Sequence, residues 1–174
     1  MKYYEITSEN SSDHWGFVNS EGKNVLDIGC GIWYTEDLNE TSPLFFGKTA
    51  NLVIGIDSNE NCINTYNSHY INDSKYVFNC VNINSASQVK NLISQYDITF
   101  LKSDIEGGEV VLLDLTKEDL NNITDIAIEF HTLELKQAFL HKIPNEWGFT
   151  IHTVANFRAT PDNLGVIYGV KNYG

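Results

Sequence analysis

A chain of 174 residues with 42% hydrophobic and 20% charged side chains has the size and make-up of one ordinary globular domain, residues 1–174. No apolar run reaches the roughly 20 residues that span a bilayer, and the opening Met1-Lys2-Tyr3-Tyr4-Glu5 lacks a signal-peptide pattern, so a cytoplasmic protein with no membrane partner is expected. A formal net charge of -12, with Arg158 the sole arginine, argues against a nucleic-acid partner, and Cys30, Cys62 and Cys80 form neither a disulfide framework nor a zinc pattern.

Residues 1–20 read as a polar lead-in. Residues 25–28, Val-Leu-Asp-Ile, form the first predicted strand and run into a turn containing Gly29 and Gly31. Between Thr35 and Thr49, Pro43 interrupts any helix, and Leu44-Phe45-Phe46-Gly47 reads as a loop packing on the sheet. Residues 52–57 make a second strand ending on Asp57, with Ser58 as the cap of a helix that carries Cys62, Ile63 and Tyr66. Residues 76–81 are a third strand. Ser85 and Gln88 then form a capping box, followed by Val89, Leu92, Ile93 and Tyr96 at helical spacing.

Residues 98–103 are a fourth strand, and residues 110–115 form a short apolar helix after Gly107-Gly108. A fifth strand covers 126–131, and Leu135, Phe139 and Ile143 mark a helix face ended by Pro144. Residues 149–154 and 164–170 are β-rich runs joined through Pro161-Asp162-Asn163, so an antiparallel hairpin closes the chain. Strands alternating with helices predict an α/β fold: a mostly parallel sheet, helices on both faces and right-handed crossovers.

Strand ends in such sheets bind ligands. A glycine turn after the first strand and an acid after the second suit either a nicotinamide dinucleotide or S-adenosylmethionine, because both are gripped through ribose hydroxyls. The dinucleotide fingerprint needs a third glycine and favours a pyrophosphate at the helix start, whereas Gly29 and Gly31 are followed here by Ile32-Trp33-Tyr34. Asp27 at the turn is electrostatically poor for pyrophosphate and suits a sulfonium and an ammonium group.

The string Lys102-Ser103-Asp104-Ile105-Glu106-Gly107-Gly108-Glu109 matches every fixed position of Lys-x-Asp-x-Glu-Gly-x-Glu, the signature of FkbM-type methyltransferases, which the chain resembles from about Val25 to Val170. The turn from Asp27 to Thr35 departs from that family where Gly31 replaces an Asn and Trp33 a Gly, and Asp57-Ser58-Asn59 stands for its Glu-Pro-Asn. Glu129 matches a Glu on the family's fifth strand. The resemblance implies a single-domain Rossmann-like methyltransferase fold with a seven-stranded sheet whose last strand is antiparallel. It also implies S-adenosylmethionine as cofactor and O-methylation of a hydroxyl on a small molecule or glycan.

The expected cofactor-contacting residues are Asp27, Gly29, Cys30, Gly31, Asp57, Ser58, Asn82 and Asp104. Methyl transfer needs positioning and, for a hydroxyl, a proton acceptor. Asp104, Glu106, His131 and Lys102 are the expected catalytic residues. His131 is the best-placed imidazole for a base, while His14, His69, His141 and His152 lack comparable context; Lys102 suits a structural counter-ion better than a catalytic role. A divalent metal on Asp104, Glu129 and His131 is a less favoured alternative, and no metal site is expected. The pairs Trp33-Tyr34 and Phe45-Phe46 are candidates for lining an acceptor pocket, which a second subunit of a homo-oligomer could complete. The competing readings are an NAD-linked oxidoreductase and a non-catalytic domain that binds a nucleoside or a partner protein.

Overall fold

The computed structural model describes residues 1–8, 10–32, 37–160 and 162–171. In chain order its elements are β1 (Lys2–Ile6), α1 (Ser11–Trp15), β2 (Asn24–Ile28), α2 (Ser42–Gly47), β3 (Leu52–Asp57), α3 (Glu60–Tyr70) and β4 (Tyr76–Cys80). There follow α4 (Ala86–Gln95), β5 (Phe100–Ser103), β6 (Asp125–Phe130), α5 (Leu133–Asn145), β7 (Phe149–Phe157) and β8 (Gly165–Lys171). The strands form one eight-stranded sheet in the order β1-β7-β8-β6-β5-β2-β3-β4. Only β8 runs against its neighbours, pairing antiparallel with both β6 and β7.

The predicted α/β class and the closing hairpin are both present. The sheet gains an eighth strand because the lead-in is not irregular: Lys2–Ile6 pairs in parallel with β7, and α1 follows it, capped by the Asn10 side chain on the Asp13 N–H. Pro43 does not interrupt a helix. It sits in the first turn of α2, where its missing N–H has no intrahelical partner to lose. Asn59, not Ser58, caps α3 by accepting from the N–H groups of Asn61 and Cys62, and the apolar run after Gly107 is a 3-10 helix over Gly108–Asp114. Pro144 lies inside the last turn of α5. Trp33, Tyr34, Thr35 and Pro161, named in the sequence analysis, lie outside the described residues.

Strand alternation sorts the core. Leu26, Ile28, Ile54, Ile56, Leu101, Ile126 and Ile128 face α4 and α5, contacting Val89, Ile93, Phe139 and Ile143. Val25, Val53, Phe100 and Ala127 point the other way, onto Trp15 of α1 and Phe46 of α2. Phe46 is fully buried there, so it is core and not pocket lining. Among the described residues no helix is long and apolar enough to cross a membrane.

The sheet order reverses direction between β2 and β5, since β3 and β4 lie on one side and β6 on the other. A crevice forms at the carboxyl ends of strands where such a reversal occurs. Both glycine-containing junctions singled out in the sequence meet at that point.

Candidate functional site

The turn after β2 and the junction after β5 are fitted to each other. Gly29 has φ +75, and a Cβ built on it would stand 1.6 Å from the Asp104 carbonyl oxygen, so only glycine allows the two backbones to approach this closely. The Asp104 N–H in turn donates to the Ile28 carbonyl at 2.9 Å. Beyond Asp104 the chain bends sharply through two left-handed residues, Glu106 at φ 52 and Gly107 at φ 88. For Glu106 that conformation costs on the order of 1 kcal/mol and turns its carboxylate back over the strand ends.

Two cavities open on this junction and share Gly29, Asp104 and Glu106. The first, of about 330 Å³, combines the apolar side chains of Ile56, Val81, Ile83 and Ile105 with the polar groups of Asp57, Ser58 and Asn82. Asp57 ends β3 and its carboxylate accepts the Asn59 N–H at 2.8 Å, which holds it at the cavity wall. The second, of about 390 Å³, is lined by Asn10, Ser11, His14, Trp15, Gly31, Glu40, Thr41, Ser42, Glu129, His131 and Leu164 besides the shared residues.

Electrostatics concentrate in the second cavity. His131 follows β6, and its Nδ1 lies 2.8 Å from Oε1 of the fully buried Glu109. Its Nε2 lies 3.6 Å from Glu129, 3.7 Å from Glu106 and 3.8 Å from Asp104. Glu129 also meets the Nε2 of His14 at 2.7 Å. Burial first, then the Glu129 charge, push the Asp104 carboxyl up to about 8, against the pull of Lys102, His14 and His131. For His131, burial works against the cation, but the Glu109 hydrogen bond and the charges of Glu109, Glu129 and Asp104 outweigh it and raise it to about 9.

Asp27 and Lys102 face each other across β2 and β5 as register partners, and both are fully buried. The Lys102 Nζ lies 2.7 Å from Asp27 Oδ1 and donates to the Gly29 carbonyl at 2.9 Å, while the Ser42 hydroxyl donates to Asp27 Oδ2 at 2.7 Å. Burial works against the Lys102 charge, yet Asp27 and Asp104 raise it above its ordinary value.

Of the predicted residues, the structure therefore brings Gly29, Gly31, Asp57, Ser58, Asn82, Asp104, Glu106 and His131 to the two cavities. Asp27, Lys102 and Cys30 line neither cavity. Asp27 is fully buried against Lys102, and Lys102 holds the glycine turn as the counter-ion its sequence context favoured. Cys30 is fully buried; its Sγ would be 3.0 Å from a Cβ on Gly55, and its carbonyl accepts the Tyr66 hydroxyl at 2.8 Å.

His14 and Glu109 were not among the expected site residues, and Glu129 was expected only as a ligand of the less favoured metal alternative. His14 carries no local signal, because its partner is 115 positions away in the chain (129 minus 14). Glu109 was legible as the last fixed acid of the Lys102–Glu109 string, and Glu129 as an acid inside an apolar strand. Asp104, Glu106 and His131 each offer one donor atom within 4.8 Å of the others. Glu106 is the exposed member of the three, and Asp104 and His131 are partly buried.

No family model matches the chain, and no curated protein sequence does. Solved structures do. A candidate rRNA methylase from Clostridium thermocellum superposes with TM-score 0.60 at 14% identity, covering 96% of this chain and 100% of that one. Aeropyrum pernix fibrillarin, crystallised with natively bound S-adenosyl-L-methionine, gives 0.57 at 9% identity over 89% of this chain and 70% of its own. A candidate tRNA (m1A22) methyltransferase from Streptococcus pneumoniae, in complex with S-adenosyl-L-methionine, gives 0.58 at 15% identity over 90% and 69%. The chain thus shares the Rossmann-like α/β fold of these structures.

Proposed function

We propose that this protein is an S-adenosylmethionine-dependent methyltransferase of the FkbM type that methylates a hydroxyl on a small molecule or glycan. The observation that carries this reading is the pair of cavities meeting at the switch point and sharing Gly29, Asp104 and Glu106. The cavity with Asp57 at its wall and isoleucines around it fits an adenosine, with the Asp57 carboxylate for the ribose hydroxyls and Asn82 and Ser58 beside the base. The cavity with His131 then receives the acceptor.

The cofactor, when bound, supplies a methyl group on a positively charged sulfur. A hydroxyl acceptor that took this methyl group would release its proton, and residues of this chain would have to receive it. The chain's own residues hold the two groups in line, keep water out and take that proton at the cluster of Asp104 and His131. With Asp104 near 8 and His131 near 9, that cluster is proton-loaded at neutral pH, so transfer is expected to accelerate as the pH rises through this range. A positive charge brought into the first cavity lowers both values, which leaves more of the cluster deprotonated at neutral pH and open to the acceptor's proton.

The solved neighbours named for RNA raise RNA as an acceptor. The charge of -12 and the carboxylates of Glu40, Glu106 and Glu129 around the second cavity oppose a phosphate backbone and favour a neutral or cationic acceptor. Calorimetry with S-adenosylmethionine, its demethylated product and NAD tests the cofactor. The adenosyl compounds are expected to bind and NAD not, and Asp57→Ala is expected to weaken binding about 10- to 100-fold, the loss of a hydrogen bond to a charged group. Preferential NAD binding would overturn the reading. Screening hydroxyl acceptors with a labelled methyl donor tests the reaction, and Asp104→Asn is expected to abolish transfer more than it weakens cofactor binding.

A further inference from the structure

We infer that Glu109 is a positioning residue that fixes the ring orientation and the proton arrangement of His131, so that Nε2 is the nitrogen offered to the acceptor cavity. This rests on the methyl-transfer reading for its catalytic meaning, but the geometry stands by itself. Glu109 is fully buried and does not line either cavity, so it meets no ligand directly. Its Oε1 accepts from the Ile105 N–H at 3.0 Å and faces His131 Nδ1 at 2.8 Å.

These two contacts do different things. The backbone N–H of Ile105 ties the carboxylate to the junction after β5, so the imidazole it holds is fixed relative to Asp104 and the shared wall of the two cavities. An ionised carboxylate only accepts hydrogen bonds, so Nδ1 must carry a hydrogen. When the ring loses a proton it therefore loses it from Nε2, and the lone pair left behind points at the cavity. Around Nε2 stand Glu129 from β6 and Asp104 and Glu106 from the junction after β5, all 3.6 to 3.8 Å away. Those separations exceed a hydrogen bond and leave the nitrogen for an incoming hydroxyl. His14 from α1 reaches the same cluster through Glu129, and Lys102 through Asp104 at 3.9 Å.

A merely structural Glu109, bracing the turn through Ile105, predicts the same fold and no particular state of His131. The two roles separate by nitrogen-detected NMR on protein labelled with ¹⁵N-histidine, titrated across the alkaline range in wild type, Glu109→Gln and Glu109→Asp. In wild type the neutral ring is expected to hold its hydrogen on Nδ1. In Glu109→Gln, which keeps an acceptor oxygen but not its charge, the midpoint of His131 is expected to fall by about one pH unit or more and the neutral ring to become a mixture. Glu109→Asp, which keeps the charge on a shorter arm, is expected to restore part of the midpoint. A wild-type ring with its hydrogen on Nε2 would overturn the inference, and that spectrum needs no variant to fold. An unchanged midpoint and hydrogen position in a folded Glu109→Gln would overturn it equally. Failure of S-adenosylmethionine to bind would instead remove the methyl-transfer reading and leave the spectrum of His131 to be judged alone.

Discussion

Replacing Lys102 by Met probes the deepest charge in the molecule. The ammonium and the Asp27 carboxylate are both fully buried and 2.7 Å apart, and the ammonium also holds the Gly29 carbonyl at 2.9 Å. Methionine fills a comparable space but leaves Asp27 with the Ser42 hydroxyl as its remaining hydrogen-bond donor, and it takes the Lys102 donor from the Gly29 carbonyl. Stranding one member of a buried pair costs about 3–5 kcal/mol, much of the stability of a domain of this size. At roughly 2–4 °C per kcal/mol, the melting temperature should drop by roughly 6–20 °C. Urea unfolding followed by circular dichroism measures the loss, and a double-mutant cycle apportions it. Asp27→Asn combined with Lys102→Met removes both charges together and should recover about 2 kcal/mol or more relative to adding the two single losses. If Lys102→Met costs less than about 1 kcal/mol, or if the two losses simply add, the pair does not hold the turn as argued.

Stability should also fall as the solution becomes more alkaline. The Asp104 carboxyl titrates near 8 in the folded chain against an ordinary 3.8, so the folded state binds more protons than the unfolded one and stability declines between about 4 and 8. His131, near 9 against an ordinary 6.5, adds stability that is complete below about 6.5 and is lost toward 9. Thermal scans across pH 5 to 9 should show this decline, shallower in Asp104→Asn; a flat or rising profile in wild type would contradict the assignment of both groups. Gly29→Ala should prevent normal folding, because its Cβ would lie 1.6 Å from the Asp104 carbonyl oxygen. Gly22→Ala, with φ +68 but nothing within 4 Å of the new atom, should cost only about 1 kcal/mol of left-handed strain, and equal tolerance of the two would refute the close approach.

The parts of the fold legible in the sequence are those in which pattern and burial coincide. Val89 and Ile93 of α4 and Leu135, Phe139 and Ile143 of α5 fall at helical spacing because those faces pack on the sheet. The strand over Lys2–Ile6 was hidden because it lies at the sheet edge, where only Ile6 is buried and no alternation is written into the residues. Pro43 misled because a proline breaks a helix interior and starts a helix equally well, and only the position of the first turn decides. At the site, Asp104, Glu106 and His131 were legible as polar groups delivered by apolar strands. The inward turn of Asp27 was not, since it depends on β2 and β5 pairing so that Asp27 and Lys102 stand side by side. His14 was invisible for a related reason: its role exists only once the N-terminal helix has folded across the sheet.

The two cavities have different ancestry within the chain. Every residue around the adenosine-sized one falls between Ile28 and Gly108, whereas its neighbour borrows from Asn10–Trp15, from Glu40–Ser42, and from as far as Leu164. The two linings overlap at Gly29, Asp104 and Glu106, but only the second cavity draws on residues outside the stretch from Ile28 to Gly108. Substitutions at Asn10, Glu40 and Leu164 would therefore reshape the second cavity without altering any residue that lines the first.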